Sequence, residues 1–419
     1  MMPTLTTDTP MMSRVRATAV LTGLLVAATN VSVAHSQAPN LVLGTAHVIH
    51  SARLKSDRRL LVSTPDAYAA DQRRYPVLVL LDGDDQFRNA VATVRFFANR
   101  QVIPDMIIIG VPNGADRTHD LTPRLIGKDT MNFKTAGGAD DFLVFLSDEV
   151  LPWVDKRYRT LPTRVLAGHS FGGLIALYAA AKQPSAFRVT VAMSPALWWN
   201  DTASATDYAD MLARSTAGPR TLFVTSGTLE PPIDRPTLKF AETLRARLPE
   251  SLRFEHRHYI GEGHGTTPFV SLVDGLRWAF APLAIPMDSL AAALLATPHD
   301  SATFANTFAR AVANYARASA AVGLDAEIPE AARNAFGYMS LQGGHKRLAV
   351  HYFRENVHRF SDSPNVYDSL GDGLLAAGDT VGARAQFAEA VRRGTIRKDP
   401  IARESRRKLA LLAAARAKP

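Results

Sequence analysis

The chain has 419 residues, 47% hydrophobic and 21% charged, an ordinary globular balance over a length that allows two or three domains. It has no cysteine, which excludes disulfides, thiolate catalysis and cysteine-based zinc or iron–sulfur sites. Net charge is +9, from 48 Lys+Arg against 39 Asp+Glu, with no basic stripe interleaved with aromatics, so nucleic-acid binding is disfavoured.

Residues 1–36 read as an export signal. Arg14 and Arg16 form a positive start, Ala17 to Ala28 a short apolar run, and Ala34-His35-Ser36 a small-residue cleavage site before Gln37. Met11 or Met12 is a candidate true start. The apolar run is too short for a typical membrane span. With no cysteine for lipidation, the expectation is a periplasmic or secreted protein without an integral membrane segment once the signal is removed.

From 41 to 283, strands alternate with helices. Ala46 to Ser63 suggests edge strands with a charged turn at Lys55 to Arg59. Val77 to Leu81 and Met106 to Gly110 are continuous apolar runs, the mark of strands buried on both faces. Ala139 to Lys156 carries Phe142, Leu143, Leu146, Val150 and Leu151 at helical spacing. Arg164 to Ala167 is a short apolar strand, and Leu174 to Ala180 a buried helix. Phe187 to Met193, Thr221 to Thr225 and Leu252 to Tyr259 supply further strands, and Thr267 to Phe280 a last helix. The alternation predicts an α/β fold, a mostly parallel sheet with helices on both faces.

After Pro286 the chain becomes Ala-rich, and residues 287–419 are expected to form an all-α region with a repeat of period 34. Gly337, Leu341, Ala349 and Phe353 recur as Gly371, Leu375, Ala383 and Phe387. The second copy, with Tyr367, Leu370, Leu374 and Ala390, resembles a tetratricopeptide repeat. It lacks the closing proline near Thr395, and Asn356 stands where the first copy should carry a small residue. Leu409 to Ala415 would cap the array, and 287–330 show no clean repeat. Basic residues Arg397, Lys398, Arg403, Arg406, Arg407 and Lys408 read as a solvated helix face. Such a region offers a surface for a protein partner or self-association; a structural cap on the α/β region is the other reading.

Between the strand at Arg164–Ala167 and the helix at Leu174 lies Gly168-His169-Ser170-Phe171-Gly172-Gly173. Strand, Gly-flanked turn and helix are the context of a nucleophile elbow, whose glycines make room for the serine backbone. The alternative is a Gly-rich turn with a bystander serine. A serine hydroxyl needs a base, and the base an orienting acid. In α/β-hydrolases these follow in the order nucleophile, acid, base. His264, in the Gly-rich loop Gly261 to Gly265, fits the base. His256 and His258, at alternate positions of a strand, are expected on a solvated face. Glu230, just past the strand at Thr221–Thr225, fits the acid, with Asp234 the runner-up; Glu262, two residues from His264, is expected to be solvated. The oxyanion hole would use the N–H of Phe171 and that of Asp84, in the loop after Val77–Leu81. That loop could also be a plain acidic turn; a metal loop is disfavoured for want of further ligands at suitable spacing. No metal or cofactor is expected.

The region 41–283 resembles the esterase family of α/β-hydrolases that includes esterase D, ferric-enterochelin esterases and the antigen 85 mycolyltransferases. The stretches that carry the resemblance are Tyr75 to Gly83, Gly110 to Asn113, Asp116 to Pro123, Gly138 to Phe142 leading to Leu151-Pro152, the elbow, and Ser194 to Trp199. The resemblance implies a metal-independent serine esterase with an acyl-enzyme intermediate, acting on a siderophore lactone or another acyl ester. It suggests that Arg117 and Asp120 shape the site wall; the alternative is an ion pair fixing a loop. Trp198 and Trp199 either line the cleft or pack the core. The family acid is often Asp, so Glu230 is a departure, and the helical region belongs to only part of the family. An acyltransferase of the same fold, or an inactive scaffold binding a partner through the repeats, are the competing functions.

Overall fold

The computed structural model describes residues 42–69, 71–126, 132–296, 300–324, 326–397 and 399–416. The expected export signal lies outside the described residues. Eight strands form one sheet: β1 (Thr45–Ser51), β2 (Ser56–Ser63), β3 (Tyr75–Leu81), β4 (Ile107–Val111), β5 (Thr160–His169), β6 (Val189–Met193), β7 (Arg220–Gly227) and β8 (Leu252–Tyr259). Their order is β1-β2-β4-β3-β5-β6-β7-β8. β1–β2 and β2–β4 are antiparallel; β4 to β8 run parallel with β3. The expected charged turn is shorter than read, because Arg58 and Arg59 already pair in β2. Arg59 reaches solvent, while Arg58 shares the inward face of the strand with Leu60 and Val62 and is largely buried.

The central strands are buried along their whole length, as their apolar runs predict. Alternation divides them between two cores. Val77, Val79 and Leu81 face one side with Leu166 and Val224, covered by α5 (Phe171–Lys182), α6 (Ala203–Ala213) and α7 (Pro231–Arg245). Leu78 and Leu80 face the other with Val165, Val191 and Phe223, covered by α1 (Gly83–Ala98) and α8 (Thr267–Phe280). The helix read at 139–156 is α3 (Ala139–Val144) and α4 (Leu151–Arg157) joined by a π-helical segment at Phe145–Val150. A short helix, α2 (Arg117–Leu121), is N-capped by the Asp116 side chain on the His119 N–H.

Helices α9 (Met287–Leu295), α10 (Ser301–Ala321), α11 (Glu330–Gln342), α12 (Lys346–Arg359), α13 (Pro364–Ala376), α14 (Thr380–Arg397) and α15 (Ile401–Arg416) follow. Val322 and Leu324, just past α10, join the core beneath Leu78 and Leu80, and Thr163 Oγ1 at the start of β5 donates to Gly323 O. The helical region thus docks on the N-terminal end of β5, at the edge of the sheet opposite Ser170.

The 34-residue spacing has a physical counterpart. Gly337 admits the Phe353 ring so closely that a Cβ would meet it at 2.3 Å. One repeat later Gly371 admits Phe387, with 2.5 Å left for a Cβ. Ala349 and Ala383 are both fully buried beside these contacts. Asn356 breaks the pattern and is fully buried too; its amide donates to Asn334 Oδ1 at 2.9 Å and Glu330 O at 3.2 Å. Asn334 in turn donates to Ser369 Oγ at 2.8 Å, so polar links join α12, α11 and α13 where the second copy has Ala390. Among the described residues no single helix is long and apolar enough to cross a membrane.

Candidate active site

Ser170 sits between β5 and α5 with φ 59° and ψ −116°, a conformation rare for a residue with a side chain. The fold holds it there. Ser170 N–H donates to Met193 O at 3.0 Å, and its carbonyl accepts from Leu174 N–H at 2.9 Å and Ala196 N–H at 3.1 Å. The flanking glycines are required by space: a Cβ on Gly168 would lie 2.2 Å from Gly172 O. The serine therefore stands at the C-terminal edge of the sheet, beside the N-terminus of α5. Phe171 opens that helix, so its N–H has no intrahelical acceptor.

Two loops at the same edge bring Glu230 and His264 together. Leu229 N–H donates to Glu262 O at 3.0 Å, and Gly261 N–H to Thr228 Oγ1 at 2.9 Å, knitting the turn after β7 to the turn after β8. His264 Nδ1 lies 2.6 Å from Glu230 Oε2. Glu230 Oε1 accepts from Ser194 Oγ at 2.6 Å and Gly227 N–H at 2.7 Å. The Glu230 side chain is 3% exposed and that of His264 40% exposed. Burial pushes the Glu230 carboxyl up, but the donors His264, Ser194 and Gly227 outweigh it and hold the group below the ordinary glutamate range. A buried anion fed by neutral donors fixes the imidazole tautomer with the proton on Nδ1, leaving Nε2 free to accept.

The His264 ring packs against the ring of His169, 4.4 Å between centroids. His169 immediately precedes Ser170, so this contact carries the imidazole to the elbow. Among the described residues no hydrogen bond joins Ser170 Oγ to His264; bonds between a nucleophile and its base are often long until substrate tightens them. Among the described residues no carboxylate is hydrogen-bonded to His169; burial, with His264 nearby, pushes its pKa down to about 4, so it is neutral near pH 7.

The other residues picked from sequence fall as follows. Asp84 is the second residue of α1, where N–H groups also lack intrahelical acceptors; its carboxylate pairs with Arg59 and accepts from Asn113 N–H at 3.2 Å. Arg117 and Asp120 do not pair with each other. Arg117 grips Asp82, Nε to Oδ1 at 2.6 Å and Nη2 to Oδ2 at 2.9 Å. Asp120 is buried and its carboxylate is occupied by Arg58 of β2, at 2.6 and 3.2 Å, so it presents no free oxygen to a site wall. Trp199 is fully buried, its indole N–H donated to Pro123 O at 3.2 Å, so it backs the wall rather than lining it. Trp198 is partly exposed and packs with Phe133 on Phe171. Asp234 serves Ser226 Oγ at 2.6 Å and His258 at 3.2 Å, away from His264. His256 is buried against Ser226, 3.1 Å from its hydroxyl, not solvated as its strand position suggested: α7 covers that face of β8.

Sequence reasoning missed Ser194, which braces Glu230 from the end of β6, and Asp82, which anchors Arg117. Both lie within the family-like stretches, but neither has a local pattern that names its partner. Among the described residues no three His, Asp or Glu side chains converge as metal ligands would.

The family model described as "Putative esterase" matches residues 51–278. The chain belongs to this esterase family. The esterase is 29% identical over 231 residues to the ferri-bacillibactin esterase BesA of Bacillus subtilis, covering 50% of this chain and 80% of that protein. It is 35% identical over 140 residues to a siderophore enterobactin esterase of Emericella nidulans, covering 29% of this chain and less than half, 46%, of the fungal protein. In fold it is similar to an IroE-like serine hydrolase from Shewanella oneidensis, with a TM-score of 0.63 at 24% identity, covering 75% of this chain and 99% of that one. Membership makes the chain a carboxylic-ester hydrolase.

Proposed function

We propose that this esterase opens ester bonds of a siderophore, with Ser170 as nucleophile, His264 as base and Glu230 as the acid that orients it. The observation that carries the mechanism is the 2.6 Å contact of buried Glu230 with His264, packed through His169 beside a strained serine. The names of BesA and the fungal enterobactin esterase support the substrate class. Ser170 Oγ adds to the ester carbonyl while His264 Nε2 takes its proton. The N–H groups of Phe171 and Asp84 receive the oxyanion. Collapse expels the alcohol, protonated by His264, and leaves an acyl-serine. Water, deprotonated by His264, then releases the acid and restores the enzyme. The partly exposed Trp198 and Phe171 rings give the mouth an aromatic surface for the substrate body.

The tetratricopeptide likeness of the helical region belongs to the same reading; the repeated Gly337–Phe353 and Gly371–Phe387 contacts support it. So does export, resting on Arg14 to Ser36, for which N-terminal sequencing of the mature protein should begin at Gln37. The substrate is tested by incubating the full chain with a siderophore lactone, a cell-wall-type acetyl ester and p-nitrophenyl butyrate, products being followed by mass. The lactone should open to its linear acid with the highest kcat/KM. Turnover of the simple ester alone would overturn the siderophore reading.

A further inference from the structure

The turn from β3 into α1 is held open by an unusual residue. Asp82 has φ 53°, in the left-handed region where a non-glycine residue needs outside support. Its buried carboxylate receives three hydrogen bonds: Arg117 Nε at 2.6 Å, Arg117 Nη2 at 2.9 Å and Asn113 Nδ2 at 2.9 Å. Asp84, which follows two residues later, owes its backbone direction to this turn.

The same guanidinium reaches the other half of the site. Arg117 Nη2 also donates to His169 O at 3.2 Å, one residue before Ser170. Its carbon lies 5.5 Å from the centroid of the Phe171 ring. The first turn of α5 also abuts the Asp82 carboxylate, since a Cβ on Gly172 would stand 2.8 Å from Oδ2. One side chain therefore touches both backbone segments that carry the oxyanion donors. A planar fork with fixed donor directions can set their spacing; a flexible ammonium cannot.

We infer that Arg117 is a positioning residue: bidentate to Asp82 and bonded to His169 O, it fixes the distance between the Asp84 and Phe171 N–H groups, rather than binding a charged part of the substrate. Of its five N–H donors, three are committed to the protein. The inference rests on the oxyanion reading above. Its effect falls on a charge that exists only in the transition state, so it is felt in kcat and not in KM.

The test uses the full chain and p-nitrophenyl butyrate, a neutral ester with no anion for an arginine to hold. Arg117→Lys keeps the charge and loses the fork; Arg117→Ala loses both; Asp82→Asn weakens the anchor from the other side. Each should lower kcat by about 10- to 100-fold, the range a misplaced catalytic group costs, with KM changed by less than about two-fold. Asp82→Asn combined with Arg117→Ala should be no slower than the slower single variant, since both break one clamp. If Arg117→Ala fails to fold, Arg117→Lys and Asp82→Asn still carry the comparison by circular dichroism and kinetics. Unchanged kcat with raised KM, or additive losses in the double variant, would overturn the positioning role while leaving the esterase reading intact. A wild-type chain inert toward every ester would instead sink the reading on which it rests.

Discussion

Glu230→Gln changes one atom of the site and should nearly abolish turnover. Oε1 of Glu230 receives Ser194 Oγ at 2.6 Å and Gly227 N–H at 2.7 Å, with the Thr267 hydroxyl farther off at 3.5 Å. A glutamine must therefore place its carbonyl oxygen there. Its NH2 group then faces His264 Nδ1, where Oε2 now sits at 2.6 Å. Two donors cannot face each other, so the imidazole proton moves to Nε2, and the nitrogen left for Ser170 can no longer accept. In serine proteases the equivalent wrong tautomer costs about 10,000-fold in kcat, and a loss of about 1,000- to 10,000-fold is expected here. That is about 4 to 5.5 kcal/mol of transition-state stabilisation at about 1.4 kcal/mol per decade. Glu230→Asp keeps the correct tautomer but shortens the reach, and should lose less. Initial rates on p-nitrophenyl butyrate, with melting by circular dichroism to confirm folding, make the measurement. A folded Gln variant within about ten-fold of wild type would refute the orienting role.

Two further outcomes follow from packing and burial. Burial, with Arg245 and His258 nearby and against the opposing Asp234, pushes His256 down to about 4 from the ordinary 6.5. Above pH 6.5 it is neutral folded or unfolded; between 6.5 and 4 only the unfolded chain takes the proton, so stability falls as pH drops through that window. Urea midpoints should decline from pH 7 to 4.5, and His256→Asn should flatten the decline; an unchanged slope would contradict this. In the helical region, Gly371→Ala forces a methyl to 2.5 Å from Phe387 and should cost about 1–3 kcal/mol, partly restored by Phe387→Leu, with ester turnover unchanged.

Chain-local signals made much of this molecule readable. Val77 to Leu81 and Met106 to Gly110 carry the mark of strands buried on both faces, and they lie inside the sheet as β3 and β4. The helix at Thr267–Phe280 matched to the residue, since proline, glycine and apolar periodicity bound it. Chain order and position at strand ends single out Ser170, Glu230 and His264 as candidates, and the structure brings Glu230 and His264 to 2.6 Å. What was hidden depends on meetings across long separations. Arg58 takes the Asp120 carboxylate from 62 residues away, and Arg117 takes Asp82 from 35. Nothing local distinguishes these from the Arg117–Asp120 pairing that spacing suggests. His256 looked solvated because alternation tells which residues share a face of β8, not that α7 covers it. Trp198 and Trp199 adjoin in sequence, yet only the partner that packing leaves outside, Trp198, reaches the mouth of the site.

The proposed mechanism requires a covalent adduct on Ser170. Intact-protein mass spectrometry after treatment with a fluorophosphonate tests it most directly, because the reagent traps the nucleophile as a stable ester. One adduct per chain is expected, mapped to the peptide containing Gly168 to Gly173, and its loss together with ester turnover in Ser170→Ala. An adduct on another residue, or an unlabelled enzyme that still hydrolyses esters, would contradict it.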